Sequence, residues 1–226
     1  MQKVARWPPL LSNVEQVADM KFSFCVLAFF MTVVLCLMSS STIAADRALP
    51  DATAALQASF VAKGQATIDR LQQDETQVLC TAHARASLPV AVAQKISALS
   101  LATINPPSNG QYLGDFTRGE TIALNGSGLQ YNDDPAKPAG GNCYACQEMA
   151  ASELAYGTIG PSLKHYGKLR GNSQTVLEFV WGKLYNSNVQ MPCSKMPRYG
   201  HRGILTEQQM QDVMAFLFDL ASPVNQ

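Results

Sequence analysis

An all-α chain is expected, on three observations. Apolar residues recur at helical spacing in four segments, three of those segments carry helix start signals, and no stretch shows the period-two alternation of a strand. No internal repeat is visible. Residues 51–104 read as helical in two pieces. In the first, Asp51 is a candidate cap, and Ala55, Leu56, Phe60, Ile68 and Leu71 recur near helical spacing up to Cys80. The second runs from Leu88 to Ile104, with Pro89 suited to a first helical turn. Both are expected to pack on the main core. The run Asn105-Pro106-Pro107-Ser108-Asn109-Gly110 is a break.

A different texture begins at Gly114. Arg118–Asn125 is a short helical candidate, and Gly126–Gly141 is a loop rich in Gly, Pro and Asp. Val176–Tyr185 places Leu177, Val180, Trp181 and Leu184 on one helical face. Residues 188–203 read as loop. Thr206 then opens the last helix, with Gln209 three residues on as its capping-box partner. Met210, Val213, Met214 and Leu217 follow at i, i+3, i+4 and i+7, and Pro223 stops the run.

The front end reads as a targeting segment. Phe22–Met38 is uncharged, follows Lys21, and ends in Ser39-Ser40-Ser41-Thr42-Ile43-Ala44-Ala45. A basic start, an apolar middle and a small-residue exit describe a secretory signal peptide, cleaved after Ala44 or Ala45. Met20-Lys21 is the usual kind of start, which makes residues 1–19 an over-extended one. The competing reading is a retained anchor, and the small-residue exit favours cleavage. Leu35-Cys36 lacks the small residue that would precede a lipoprotein cysteine. The expected organisation is therefore signal peptide at 1–45, helical N-terminal extension at 46–110 and main domain at 111–226. The expected location is the periplasm, with no membrane attachment after cleavage.

The whole chain balances 17 basic against 17 acidic residues. Without its first 45 residues it carries 14 and 15. There is no basic run, so nucleic-acid binding is not indicated. Four cysteines lie beyond the signal: Cys80, Cys143, Cys146 and Cys193.

The chemistry centres on Gly140-Gly141-Asn142-Cys143-Tyr144-Ala145-Cys146-Gln147. A C-x-x-C pair alone is a redox dithiol, half a zinc site or the thiol pair of a haem attachment site. For zinc, no second C-x-x-C or H-x-x-x-H supplies the remaining ligands. For a thioredoxin-like dithiol, no βαβ setting is visible. The order of elements favours haem. A short helix precedes the pair, Gly160-Pro161-Ser162-Leu163 follows it, and Met196-Pro197 precedes the terminal helix. Class I cytochromes c have this order, with the last helix crossing the helix ahead of the haem site.

Several loops agree with one family in order. They are Gly114-Asp115-Phe116, Gly119-Glu120, the 140–146 run, Tyr156 to Leu163, Tyr166-Gly167, Cys193 to Gly200, and Ser222-Pro223-Val224-Asn225. Over about residues 70–226 the chain resembles SoxX, the cytochrome c subunit of the periplasmic SoxAX complex of thiosulfate oxidation. The resemblance implies a class I cytochrome c-like domain with one covalent haem c. It implies a non-catalytic electron-transfer subunit of an L-cysteine S-thiosulfotransferase. That subunit forms a heterodimer with a SoxA-like catalytic chain and serves a SoxYZ-like carrier indirectly. Carried over by position, Cys143 and Cys146 are the thioether anchors and Met196 the distal iron ligand. Pro161 is the residue whose carbonyl orients the proximal imidazole.

Gln147 departs from that pattern, because haem attachment calls for C-x-x-C-H and an amide supplies no imidazole nitrogen. Three explanations stand. Gln147 is a one-base change from a His codon; or iron is held by one of His83, His165 and His201; or the fold is kept as a haem-free partner scaffold. A secreted dithiol oxidoreductase is the remaining alternative. Lys164, Lys168 and Arg170 read as a solvated face or as contacts for haem propionates or an acidic partner. Cys80 and Cys193 are either two buried thiols or a disulfide. An oxidising compartment favours the disulfide, which would tie the N-terminal arm to the segment ahead of Met196.

Overall fold

The computed structural model describes residues 53–226. The signal segment, Asp51, Cys25 and Cys36 lie outside the described residues. The chain divides into two units, one reaching Phe60 and the other running from Val61 to Gln226. In the first, α1 (residues 53–59) is exposed along its length. The second unit holds α2 (Glu75–Ala82), α3 (Val90–Leu101), α4 (Phe116–Leu124), α5 (Tyr166–Arg170), α6 (Gln174–Tyr185) and α7 (Glu207–Phe218). Short 3-10 turns punctuate them at Ile68–Leu71, Cys143–Ala145, Ser187–Val189 and Pro223–Asn225. Among the described residues there is no strand, only an isolated bridge between Lys63 and Ala66. The fold is all-α.

The first helical stretch is shorter than its periodicity suggests. The chain turns at Gly64, whose φ of +53° is costly for any residue with a Cβ, and Tyr131 lies where that Cβ would sit. A fresh helix starts at Glu75 because Asp74 and Gln77 form a reciprocal capping box. The Lys63–Ala66 turn and this cap divide the apolar pattern of 51–80 into separate elements.

The core lies between α4 and α7. Every residue of α7 from Met210 to Phe218 is buried, so this helix runs through the centre of the unit. The two helices cross at Gly119. A Cβ there would lie 2.0 Å from the Asp212 carbonyl oxygen, so the close approach requires glycine. One carboxylate fixes the register. Asp212 accepts from the Asp115 amide at 2.8 Å, from Arg118 through Nε and Nη2 at 2.8 Å each, and from Gln208 at 3.0 Å. Burial would raise the Asp212 carboxyl, but these donors outweigh it and hold it below the usual carboxylate range.

The N-terminal arm packs on the α6 side. Trp181 donates to the Asn105 carbonyl at 2.7 Å and meets Tyr112 edge-on, with ring centroids 5.7 Å apart. Asn186, fully buried, donates to Thr103 Oγ1 at 3.0 Å. Ile96 of α3 is fully buried. Residues 61–110 are thereby part of the same compact unit as the rest. Two elements escape the sequence pattern. Helix α5 is only five residues long, and the Cys143–Ala145 turn is a single 3-10 turn.

Candidate functional site

The C-x-x-C turn is set by the helix before it. Gly140, Gly141 and Asn142 donate to the carbonyls of Ser127, Ile122 and Asn125, folding the 126–141 loop back onto the end of α4. A Cβ at Gly140 would lie 1.9 Å from the Asn125 carbonyl oxygen. Asn142 takes the left-handed conformation, φ 47°, and the chain enters the turn. The amides of Cys146 and Gln147 both donate to the Cys143 carbonyl, at 3.2 and 3.1 Å. Cys143 packs against the core, and burial pushes its thiol up to about 12. Cys143 and Cys146 are both free thiols.

After the turn, three backbone bonds retain the next loop. Gly157 donates to Tyr144, Gly160 to Cys146 and Leu163 to Glu148, each at 2.8 Å. Gly160 lies against the Gln147 side chain; a Cβ there would be 2.5 Å from Gln147 Cγ and 2.7 Å from its Nε2. Pro161 is exposed beside it. Leu154 and Ile159 of this loop are 85% and 77% exposed, high values for large apolar side chains.

Met196 sits in a loop held on every side. Its amide donates to Ser194 Oγ at 3.2 Å, and its carbonyl accepts from Ser187 Oγ at 2.7 Å. Its side chain is half-buried against the core. Cys193, three residues before it, is disulfide-bonded to Cys80 of α2, with Cα atoms 5.5 Å apart. Cys193 itself has φ 61°, so the chain turns sharply there.

Tyr199 brings this loop to the C-x-x-C turn. Its hydroxyl donates to the Gly141 carbonyl, two residues ahead of Cys143. Burial, and then the neighbouring Cys143 and Cys146, push its phenol far above the ordinary value. The structure thus brings together Cys143, Cys146 and the loop of Met196, with Tyr199 between them. Sequence reasoning gave Tyr199 no role. Its position three residues beyond Met196 carried no separate signal.

The three histidines are dispersed. His83 Nδ1 lies 2.9 Å from the Leu79 carbonyl, on the last turn of α2. His201 Nε2 is 3.9 Å from Asp74, and burial together with Arg198 and Arg202 lowers its basicity. His165 caps α5 with φ 57° and hydrogen-bonds its amide to Val224; its Nδ1 is buried without a partner. Lys164 pairs with Glu148 at 3.4 Å, while Lys168 and Arg170 are exposed.

The donor set divides over a haem c. Two thiols on one turn would suit covalent attachment, and the Met196 thioether, on the loop that Tyr199 joins to that turn, would suit iron as a soft donor. Gln147 does not fit, because it offers an amide where haem attachment calls for an imidazole.

No protein-family model matches the chain. It is 38% identical over 157 residues to an uncharacterised lipoprotein of Aquifex aeolicus (strain VF5), an alignment spanning 68% of this chain and 73% of that protein. The chain belongs to the family of that lipoprotein. Among solved structures, a chain of SoxXA from P. pantotrophus aligns at 25% identity with a TM-score of 0.34, over 48% of this chain and 82% of that one. Among the described residues no helix is long and apolar enough to cross a membrane.

Proposed function

We propose that this chain is the SoxX-like subunit of a periplasmic SoxAX-type complex of thiosulfate oxidation, paired with a SoxA-like catalytic chain. The carrying observation is the junction at Tyr199, which sets the Met196 loop against the turn bearing Cys143 and Cys146. Support also comes from the ordered agreement of separate loops with SoxX. When haem is attached, Cys143 and Cys146 would hold it through thioethers and Met196 would offer its sulfur to the iron. The haem would then supply a one-electron acceptor. The chain's own part is to place those three sulfurs and to present a surface to its partner.

A second reading has its own observation. Gln147 lacks the imidazole, and a haem-free subunit with the same fold would keep the partner surface alone. A dithiol oxidoreductase is disfavoured by Cys143. That thiol packs against the core, where a nucleophilic thiolate is poorly solvated.

The test is expression of the secreted protein with a c-type maturation system and a SoxA-like chain. A covalent haem signal with a pyridine haemochrome spectrum supports the electron-transfer subunit. A colourless, folded protein that co-purifies with the SoxA-like chain supports the scaffold. A colourless protein with no affinity for that chain overturns both.

A further inference from the structure

We infer that Asp74 is a positioning residue for the Met196 loop, acting from the N-terminal arm through Arg198 and Arg202. Asp74 uses its two oxygens for different tasks. Oδ1 accepts the Gln77 amide at 2.9 Å and so starts α2. Oδ2 accepts from Arg198 Nη2 and from Arg202 Nη2, both at 2.7 Å. Arg202 Nη2 also reaches Gln77 Oε1 at 2.7 Å, so the cap and the ion cluster share a residue.

The geometry brackets Met196. On its N-terminal side Cys193 is bonded to Cys80, six residues along α2 from Asp74. On its C-terminal side, Arg198 is bound by Asp74 itself, and the Arg198 side chain is 9% exposed. One helix therefore grips the loop at two points, one covalent and one ionic, with Met196 between them. Charge-assisted hydrogen bonds are the strong ones, and a nearly buried guanidinium left without its carboxylate would have to move or draw in water. A loop gripped only at Cys193 could pivot about that residue. A loop gripped on both sides cannot swing its thioether away from the core.

This inference takes from the proposed function only that the position of Met196 matters. Its test needs neither haem nor partner, so a failure of one leaves the other standing. The full secreted chain is treated with dilute hydrogen peroxide, and methionine sulfoxide is followed residue by residue by peptide mass spectrometry. Met149 and Met214, both essentially buried, are internal controls. Asp74→Asn keeps a good N-cap and removes the charge, which separates the latch from the helix start. Oxidation of Met196 is expected to rise about tenfold, as for local opening after loss of a charge-assisted hydrogen bond, with Met149 and Met214 unchanged. Arg202→Gln, at an exposed side chain, is a second variant in which a smaller rise is expected. An unchanged Met196 rate in Asp74→Asn overturns the inference. So does an equal rise at Met149 and Met214, which would make Asp74 a residue of general stability.

Discussion

Two loops border the C-x-x-C turn, the first reaching it through Tyr199, and they are held by different means. The loop carrying Met196 is fixed by a disulfide, an ion cluster and serine hydroxyls on both sides of the methionine peptide. The loop following Cys146 is held by three backbone bonds, the Lys164–Glu148 pair and the buried Met149 and Ala150, with no covalent tie, and presents Leu154 and Ile159 outward. On the first side, several separate contacts bear on the position of the thioether. On the second, a single side chain, Gln147, decides what donor stands beside the C-x-x-C.

The largest effect expected is at Gln147. Gln147→His supplies an imidazole next to Gly160, whose missing Cβ leaves space against the side chain of residue 147. Covalent haem, scored by staining after co-expression with a maturation system, should go from little or none to near-stoichiometric. Equal staining in both proteins would mean that Gln147 is no defect and that another residue serves the iron.

The second prediction breaks the firmer loop. Cys80→Ser with Cys193→Ser removes a bridge spanning 113 residues. In the chain-entropy picture this costs about 4–5 kcal/mol, less any strain released. Urea unfolding of the secreted protein measures it. A loss below about 1 kcal/mol would move the stability of the arm from the bridge to packing at Trp181 and Asn186.

The third prediction cuts the link between the two loops. Tyr199→Phe leaves the buried Gly141 carbonyl without its donor, at a cost of about 1–3 kcal/mol. Amide exchange should rise on both loops, at the 141–147 turn and at 196–204. A rise on one side only would show that Tyr199 belongs to one loop and does not couple them.

What was legible in the sequence follows from how local each cause is. The terminal helix was readable because Thr206 and Gln209 lie three apart and its apolar stripe has one period. The helix ahead of the C-x-x-C was readable to within two residues, although its cap, Asp115, was missed. The 51–80 segment misled because apolar spacing says nothing about Gly64, whose positive φ breaks the run. Asp74-x-x-Gln77 was a readable start signal that went unused. Its grip on Arg198 and Arg202, across more than a hundred residues, has no local trace. Nor does the carboxylate of Asp212, whose partners gather only when α4 and α7 cross.

The smallest effect expected separates two carboxylates, Asp74 beneath the Met196 loop and Asp212 in the helix crossing. For Asp74, burial would raise the carboxyl; the Arg198 hydrogen bond, the Gln77 amide and the Arg198 and Arg202 charges outweigh it and lower it. Asp212 is lowered in the same sense. A carboxyl lowered on folding stabilises the fold above its unfolded value, about 3.9, and that contribution is lost as pH falls through the folded value. Stability should therefore hold from neutral pH to about 5 and decline below about 4. The donors then divide the two. Asp74, 32% exposed, leans on two guanidinium groups, whereas Asp212, 3% exposed, pairs with one, the exposed Arg118, and takes two further bonds from the neutral Asp115 amide and Gln208, so salt weakens the first cluster more than the second. At neutral pH, raising the ionic strength should speed sulfoxide formation at Met196 while leaving amide exchange in α7 unchanged. If α7 loosens in step with Met196, the ion cluster and the helix crossing form one cooperative unit.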